Sequence, residues 1–282
     1  MSIETGDSEE AIGGGTLSEW NAVRIVRGLF GTSGFLAVWW IASSFVEPSY
    51  LLPGPAAAAM AFIEQLTTTT TFTVPVVGSE ISASRMVAKL VQSLLHYLPG
   101  LFVGASLGIA LGVALGWSGR LDDALTPVIR ILRPIPPLAW IVFAIVWFGI
   151  GHVGAAFIVF IGAFWINFYG AYSGVEGAPD LLREVGSNLG VTGDLEMIRY
   201  VVLPSAAPQI LTSVRTSIGR CWMIVVGAEL FGAPGVGYEI INASNNLAMD
   251  TSVAYMLVIS LVFLVTDGAF RRAEGRLLAW RS

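Results

Sequence analysis

Apolar positions in this chain fall into long runs divided by short polar gaps, with one exception, the polar stretch Pro179–Pro208. The runs are Leu29–Phe45, Leu98–Trp117, Gly154–Tyr172, Ile210–Phe231 and Val253–Phe270, with a shorter one over Leu138–Ile150. A backbone in lipid has no water to bond to and must satisfy its own N–H and C=O groups, so runs of this length predict membrane-spanning helices. A transmembrane barrel would instead show short alternating segments. The expected fold class is all-α: a polytopic membrane protein of about six transmembrane helices.

The gaps between the runs refine this order. EPSYLLPGP reads as a connector, Ala56–Leu66 as a short helix, TTTTTFTVPVVG as loop, and Glu80–Tyr97 as an interfacial helix leading into the second span. Gly104, Gly108, Gly112 and Gly116 recur at four-residue spacing in that span, which lets a neighbouring helix approach closely. In the third span Pro134, Pro136 and Pro137 interrupt the helix at Arg133, and Leu138–Ile150 is too short to cross alone. A discontinuous helix is expected there. Such breaks are tolerated where they line a cavity or are buried in protein, and they mark transport paths.

The expected organisation is a disordered acidic N-terminus over 1–23 and an N-terminal transmembrane helix with its connector over 24–52. An extracytoplasmic connector follows over 53–97. A transmembrane core over 98–270 encloses a cytoplasmic loop at 176–206, and a cytoplasmic tail spans 271–282. The early residues carry Glu4, Asp7, Glu9 and Glu10 but no basic n-region, so the first apolar run is expected to stay as an anchor. Arg24, Arg27, Arg120, Arg183, Arg199, Arg271, Arg272, Arg276 and Arg281 fall on the side of the termini. Only Arg85 and Lys89 fall opposite, which puts both termini in the cytoplasm of a cell membrane.

Composition narrows the chemistry. The chain has 55% hydrophobic and 12% charged residues and a net charge of −5. Its one cysteine, Cys221, excludes an internal disulfide and a zinc cluster, and neither a metal nor another cofactor is expected. No nucleic-acid partner is expected either. The one lysine lies in VAKL, outside any Gly-Lys-Ser/Thr turn, so the chain cannot hold ATP in a P-loop. It is read as having no catalytic site of its own, and if it pumps, another subunit hydrolyses the ATP. The text GTSG at Gly31–Gly34 raises an intramembrane serine protease as an alternative, and an ATP-independent channel is a second. His96 and His152 both lie near the opposite membrane side from Ser33 and are read as interfacial or packing residues.

Charges inside spans are costly and are candidates for function. Arg215 and Asp267 sit at similar depths in the fifth and sixth spans, and a bridge between them is expected. Arg220 and Glu229 lie nine residues apart, about 180° around a helix, so they do not pair with each other. With Pro136 and Trp140 of the broken span, Arg220 and Glu229 are the candidates for lining a translocation path.

The polar stretch has its own helical spacing over Leu181–Leu189. Gly190 and Gly193 break it, and Thr192 or Asp194 is expected to cap a second helix running through Arg199. The product is a helix–turn–helix protruding between two spans. Here the sequence resembles the permease subunits of binding-protein-dependent ABC importers, whose cytoplasmic loop has the form Glu-Ala-Ala-x3-Gly-x9-Ile-x-Leu-Pro. This chain carries Glu184-Val185-Gly186, then Gly190, and Leu203-Pro204. Val185, Gly186 and Tyr200 depart from that form, and the Gly-to-Pro distance is one residue longer. LRPIPPLAWIVFAIVWFGIG, VVGAELFGAPGVGYEIINA and LVFLVTDGAFRRAEGRLLAW are similar to the nitrate/sulfonate/taurine/bicarbonate branch, and the likeness covers roughly Pro53–Trp280.

The resemblance implies a type I importer permease fold and import of a small solute by alternating access. It implies a second permease copy, two copies of an ATP-binding subunit and an extracytoplasmic substrate-binding protein, all assembled on a lipid membrane. By the same resemblance Glu184, Gly186, Gly190, Thr192, Asp194, Leu203 and Pro204 form the coupling element that docks on the ATPase.

Overall fold

The computed structural model describes residues 17–73 and 80–277. The acidic stretch before residue 17, residues 74–79 at the end of TTTTTFTVPVVG, and the last five residues, Arg281 among them, lie outside the described residues. The chain is helical almost throughout, as the apolar runs require. The first helix, α1 (Leu17–Phe45), begins inside the stretch 1–23 that was expected to be disordered. It is followed by α2 (Pro55–Thr67).

The next segment corrects two expectations. The threonine run is not a loop: β1 (Thr69–Thr73) pairs antiparallel with β2 (Glu80–Ser84), with Thr71 opposite Ser82. Consecutive β-branched threonines suit a strand. Glu80–Tyr97 is accordingly not one interfacial helix. Ser84 ends the strand and caps α3 (Arg85–Trp117), its Oγ accepting from the Val87 N–H at 3.3 Å. α3 is 33 residues long with Pro99 inside it, so the expected interfacial helix and second span are one rod of about 50 Å.

The third span is broken, as the prolines predict. α4 (Gly119–Leu132) and a 3₁₀ turn over Pro137–Trp140 leading into α5 (Ile141–Phe148) meet at 83°. Then come α6 (His152–Glu176), α7 (Asp180–Asn188), α8 (Asp194–Met197), a π-helical turn over Ile198–Val202, α9 (Leu203–Glu229), α10 (Val236–Asn245) and α11 (Met249–Leu277). Among the described residues, four helices (α1, α3, α6 and α11) are long and apolar enough to cross a membrane, or five spans if the bent pair counts as one. The remaining expected span is α9, whose 27 residues are long enough but include Arg215, Arg220 and Glu229.

The core is α3 against α6, with α9 packed on both. A Cβ on Gly100, Gly104 or Gly108 would come to 2.5 Å of the carbonyl oxygen of Ala156, Phe160 or Phe164, respectively. Both members of each successive pair advance by four residues, so α3 and α6 run parallel with their backbones in contact. This is the close approach that small residues permit in lipid, where no hydrophobic effect drives helices together. Parallel α3 and α6 also require the bent α4–α5 unit to return the chain across the bundle between them. Tyr97 stacks on Trp222 at 4.3 Å between ring centroids and donates its OH to the Ile218 carbonyl at 2.9 Å, which fastens α9 to α3.

Candidate functional site

α7, α8 and the turn between them form a compact hairpin. Gly190 sits at φ +92°, a conformation that glycine adopts without a Cβ clash. Around it the Val191 N–H bonds the Gly186 carbonyl at 3.0 Å and the Gly190 N–H bonds Ser187 at 3.1 Å. These are the two bonds of a Schellman ending, which satisfies the last carbonyls of α7 and reverses the chain. α8 then starts from Gly193 with no side-chain cap, so neither Thr192 nor Asp194 caps it, contrary to expectation; Asp194 is its first residue. The bond from the Met197 N–H to the Gly193 carbonyl at 2.8 Å closes the first turn instead.

The base of the hairpin is built into the bundle. Val175, Ala178, Met197, Val202 and Ala206 form a buried cluster with Val113, Trp117, Val191 and Val201 packed against it. Arg183 reaches back from α7, donating to the Val175 carbonyl at 3.2 Å and lying 5.5 Å from the Trp117 ring centroid. Gly186 is buried in this contact, where an added Cβ would meet Val201 Cγ2 at 3.0 Å and Met197 Sδ at 3.1 Å. The glycine at that position is therefore a packing residue.

The tip is exposed. Glu184, Gly190, Thr192 and Asp194 face outward, as does Pro204 lower down, while Leu203 is half-buried. Leu189 and Leu195, which flank the turn, are 79% and 78% exposed, and Leu181 is 66% exposed. No motif in the residue pattern marks these leucines. Their signal is their position: they flank a turn of small and polar residues in the most polar loop of the chain.

The π-helical turn explains the irregular spacing before Leu203-Pro204. A π turn inside an α-helix accommodates one extra residue, and here it lies between Gly190 and Pro204, where the spacing is one residue long. The Leu203 N–H bonds the Ile198 carbonyl, five residues back. Pro204 offers no N–H to tighten the turn. α8, the π turn and α9 consequently form one continuous rod. It runs from the hairpin at Asp194 to Glu229 at the far end of the bundle, on the order of 50 Å.

The other candidates are spread over the bundle. Pro136 is exposed and Trp140 half-buried, its Nε1 without a hydrogen-bond partner. Arg215 donates from Nε to Asp267 Oδ1 at 3.0 Å, the bridge expected from their depths, and Asp267 also accepts from Arg271 Nε at 2.8 Å. Arg220 lies on the open side of α9, in a groove of about 590 Å3 between α9 and α11 that Thr212, Thr216, Met223, Ser260 and Phe263 also line. Its guanidinium has no carboxylate partner among the described residues.

Glu229 does not face an open path. It is fully buried and bonded to His96 on α3 and to the Gly237 N–H of α10, at 3.1 and 2.7 Å. The histidines, read as interfacial or packing residues, meet each other across α3 and α6. They are committed where the start of α6 meets α3, while α1, which carries Ser33, packs on α2.

Residues 104–278, well over half of the chain, match the family described as the binding-protein-dependent transport system inner membrane component. The chain belongs to this family. It is 42% identical over 156 residues to an ABC transporter permease protein of Methanocaldococcus jannaschii, covering 55% of this chain and 58% of that protein. It is 31% identical over 157 residues to the taurine transport system permease protein of Escherichia coli, covering 55% and 57%. It is 32% identical over 146 residues to the nitrate import permease protein of a Synechocystis species, covering 51% and 53%. The chain thus spans little more than half the length of these curated relatives. Its fold is that of the permease in an inward-facing MetNI methionine ABC transporter structure, at a TM-score of 0.57 and 20% identity, covering 67% of this chain and 94% of that one. The type I importer permease fold expected from the sequence is the fold found.

Proposed function

We propose that this chain is the transmembrane permease subunit of an ATP-driven importer for a small anionic solute such as nitrate, a sulfonate, taurine or bicarbonate. The observation that carries the proposal is the hairpin of α7 and α8, found in a chain of this family. Its base is locked to the bundle and its tip presents Leu189, Leu195 and Glu184 outward. Exposed leucines beside a rigid turn suit insertion into a cleft on a partner, and the partner supplies the ATPase that this chain lacks. Glu184, Gly190, Thr192 and Asp194 form the contact on this reading. Gly186, Leu203 and Pro204 shape its base.

The complex pairs two permease copies with two ATP-binding subunits on the cytoplasmic side, where both termini lie, and takes its solute from an extracytoplasmic binding protein. ATP-driven closure of the ATPases moves the hairpins, and the rod of α8 and α9 carries that movement across the membrane. The spans then alternate between inward-facing and outward-facing states. Arg220, with Pro136 and Trp140 on the broken span, borders the path. The guanidinium is exposed on the open side of α9, and it favours an anion there, since a charge at membrane depth needs a counter-charge. Relatives named for taurine, aliphatic sulfonates and nitrate support the same solute class.

The test is purification of the intact complex from native membranes, followed by uptake in reconstituted vesicles. An ATPase subunit present at equal copy number and ATP-dependent uptake of nitrate or taurine are the expected results. Uptake that persists without ATP or any ATPase subunit would favour the channel reading and overturn this one.

A further inference from the structure

The chain has two histidines, and both lie in one buried chain of hydrogen bonds with Glu229. His96 Nδ1 pairs with Glu229 Oε1 at 3.1 Å and His96 Nε2 with His152 Nδ1, while Glu229 Oε2 accepts from the Gly237 N–H at 2.7 Å. His96 and Glu229 are fully buried, and His152 is half-buried and reaches the surface. The four residues come from α3, α6, α9 and α10, so the chain of bonds ties these elements together at the end of the bundle away from the hairpin.

Hydrogen counting limits the states of this cluster. An imidazole nitrogen either donates or accepts, so a single proton lies between the two rings. With Glu229 ionised and both rings neutral, His96 donates from Nδ1 to Glu229 and accepts at Nε2 from His152. All these bonds are then made, but the cluster carries a net buried negative charge, which is costly. One further proton makes an imidazolium and brings the net charge to zero with the same bonds intact. A second would place an N–H against an N–H between the rings, or protonate Glu229.

The neighbouring groups offer no other compensation. Lys89 of α3 and Glu239 of α10 pair with each other at 2.7 Å. Tyr97 of α3 donates to Ile218 of α9, and Tyr255 of α11 donates to Gln65 of α2 at 3.2 Å. α5 has no ionisable residue, and Arg220 of α9 lies on the opposite side of its helix from Glu229. Nor does the cluster suit a metal: the nitrogens point at one another and at the carboxylate, and no metal-holding group of three occurs among the described residues.

We propose that His96, His152 and Glu229 form a proton-binding site that latches the ends of α6, α9 and α10 to α3. The bound proton neutralises the Glu229 carboxylate, and its loss through half-exposed His152 loosens this end of the bundle. Glu229 terminates the rod that begins at the hairpin, so the proton sets how firmly the far end of that rod is held.

The sign follows from proton counting. With Glu229 ionised, loss of the last imidazolium proton leaves a buried negative charge without a counter-charge, so this end of the bundle is expected to open more readily as pH rises through the imidazole range. The experiment is hydrogen exchange on the intact complex between about pH 5.5 and pH 8.5, corrected for intrinsic rates. Loss of one proton allows up to a tenfold rise in local opening per pH unit. That rise is expected in residues 90–97, 150–157 and 229–240, and not in residues 158–168 of the α6 midsection. Glu229→Gln removes the charge that the proton balances, so the trend in these segments should reverse, with exchange rising as pH falls. If that variant does not fold, the double variant His96→Gln with His152→Gln, which removes both rings that can hold the proton, should flatten the trend. Exchange in the wild-type segments that is independent of pH, or rises uniformly along the chain, would overturn the proposal. The readout does not require transport, so it can fail or succeed apart from the importer reading.

Discussion

Arg215 of α9 and Asp267 of α11 are joined Nε to Oδ1 at 3.0 Å, a bridge between two long helices. Asp267 also holds Arg271, and Glu274 lies 3.9 Å from Arg215, so four charges share one site. Asp267→Arg is expected to lower the yield of folded protein sharply, because it leaves three arginines facing Glu274 alone. Arg215→Asp should cost less. The double exchange should recover much of what Asp267→Arg loses, read as monodisperse protein after extraction. An additive double variant would remove the pairing as the reason these charges sit in the spans.

The contact of Gly108 with the Phe164 carbonyl leaves no room for a side chain. A Cβ there would sit at 2.5 Å from the oxygen, with the Phe168 nitrogen at 3.0 Å, and backbone atoms do not step aside as side-chain ends do. Gly108→Ala is expected to cost about 1–3 kcal/mol by overpacking, and Gly108→Leu more. The measurement is the thermal unfolding midpoint, with Gly28→Ala as control, since nothing lies within 4 Å of Gly28.

Gly190 has open space around it and a positive φ, so backbone strain and surface chemistry can be separated there. Gly190→Ala adds strain of about 1–2 kcal/mol and should lower stability modestly. Gly190→Arg adds the same strain and a bulky cation beside Leu189, and it should abolish assembly with the ATPase or uncouple ATP hydrolysis from uptake. Normal ATP-dependent uptake by the arginine variant would remove the hairpin from the docking role.

The π turn gives a prediction of its own. Deleting Tyr200, an exposed residue inside it, should let Ile198–Leu203 relax to an ordinary α-helix. The hairpin would then rotate by about 100° relative to α9, the angle per residue of an α-helix. The protein should still insert and fold, because the spans are untouched. ATPase assembly should fall severalfold, read by co-purification. Unchanged assembly would mean that the phase between α8 and α9 has no role in docking.

Much of the architecture was legible in the residues. Long apolar runs can only be helices in lipid, three prolines within four residues must break one, and glycines every fourth residue must face a backbone. Their partner was not legible, because α6, α9 and α11 each present a long apolar face and any could have met α3. The threonine strand was misread because a two-stranded ribbon depends on a partner segment, Glu80–Ser84, that looks like the start of the helix behind it. Of the hairpin, the glycine turn and the charged face were visible, while the buried role of Gly186 and the exposure of Leu189 and Leu195 depend on which way α7 folds back.

The sequence by itself determined that this chain lives in a membrane, that one polar element leaves it, and that it holds no P-loop of its own. Those conclusions rest on local physics: solvation of side chains and backbone, and the spacing of glycine, proline and charge. Only the tertiary structure decided what the isolated charges do. His152 and Glu229 lie 56 and 133 residues from His96, and no periodicity relates them. Their meeting depends on α3 and α6 running parallel and on α9 being pinned across both, which is set by packing between helices and not by any stretch of the chain alone.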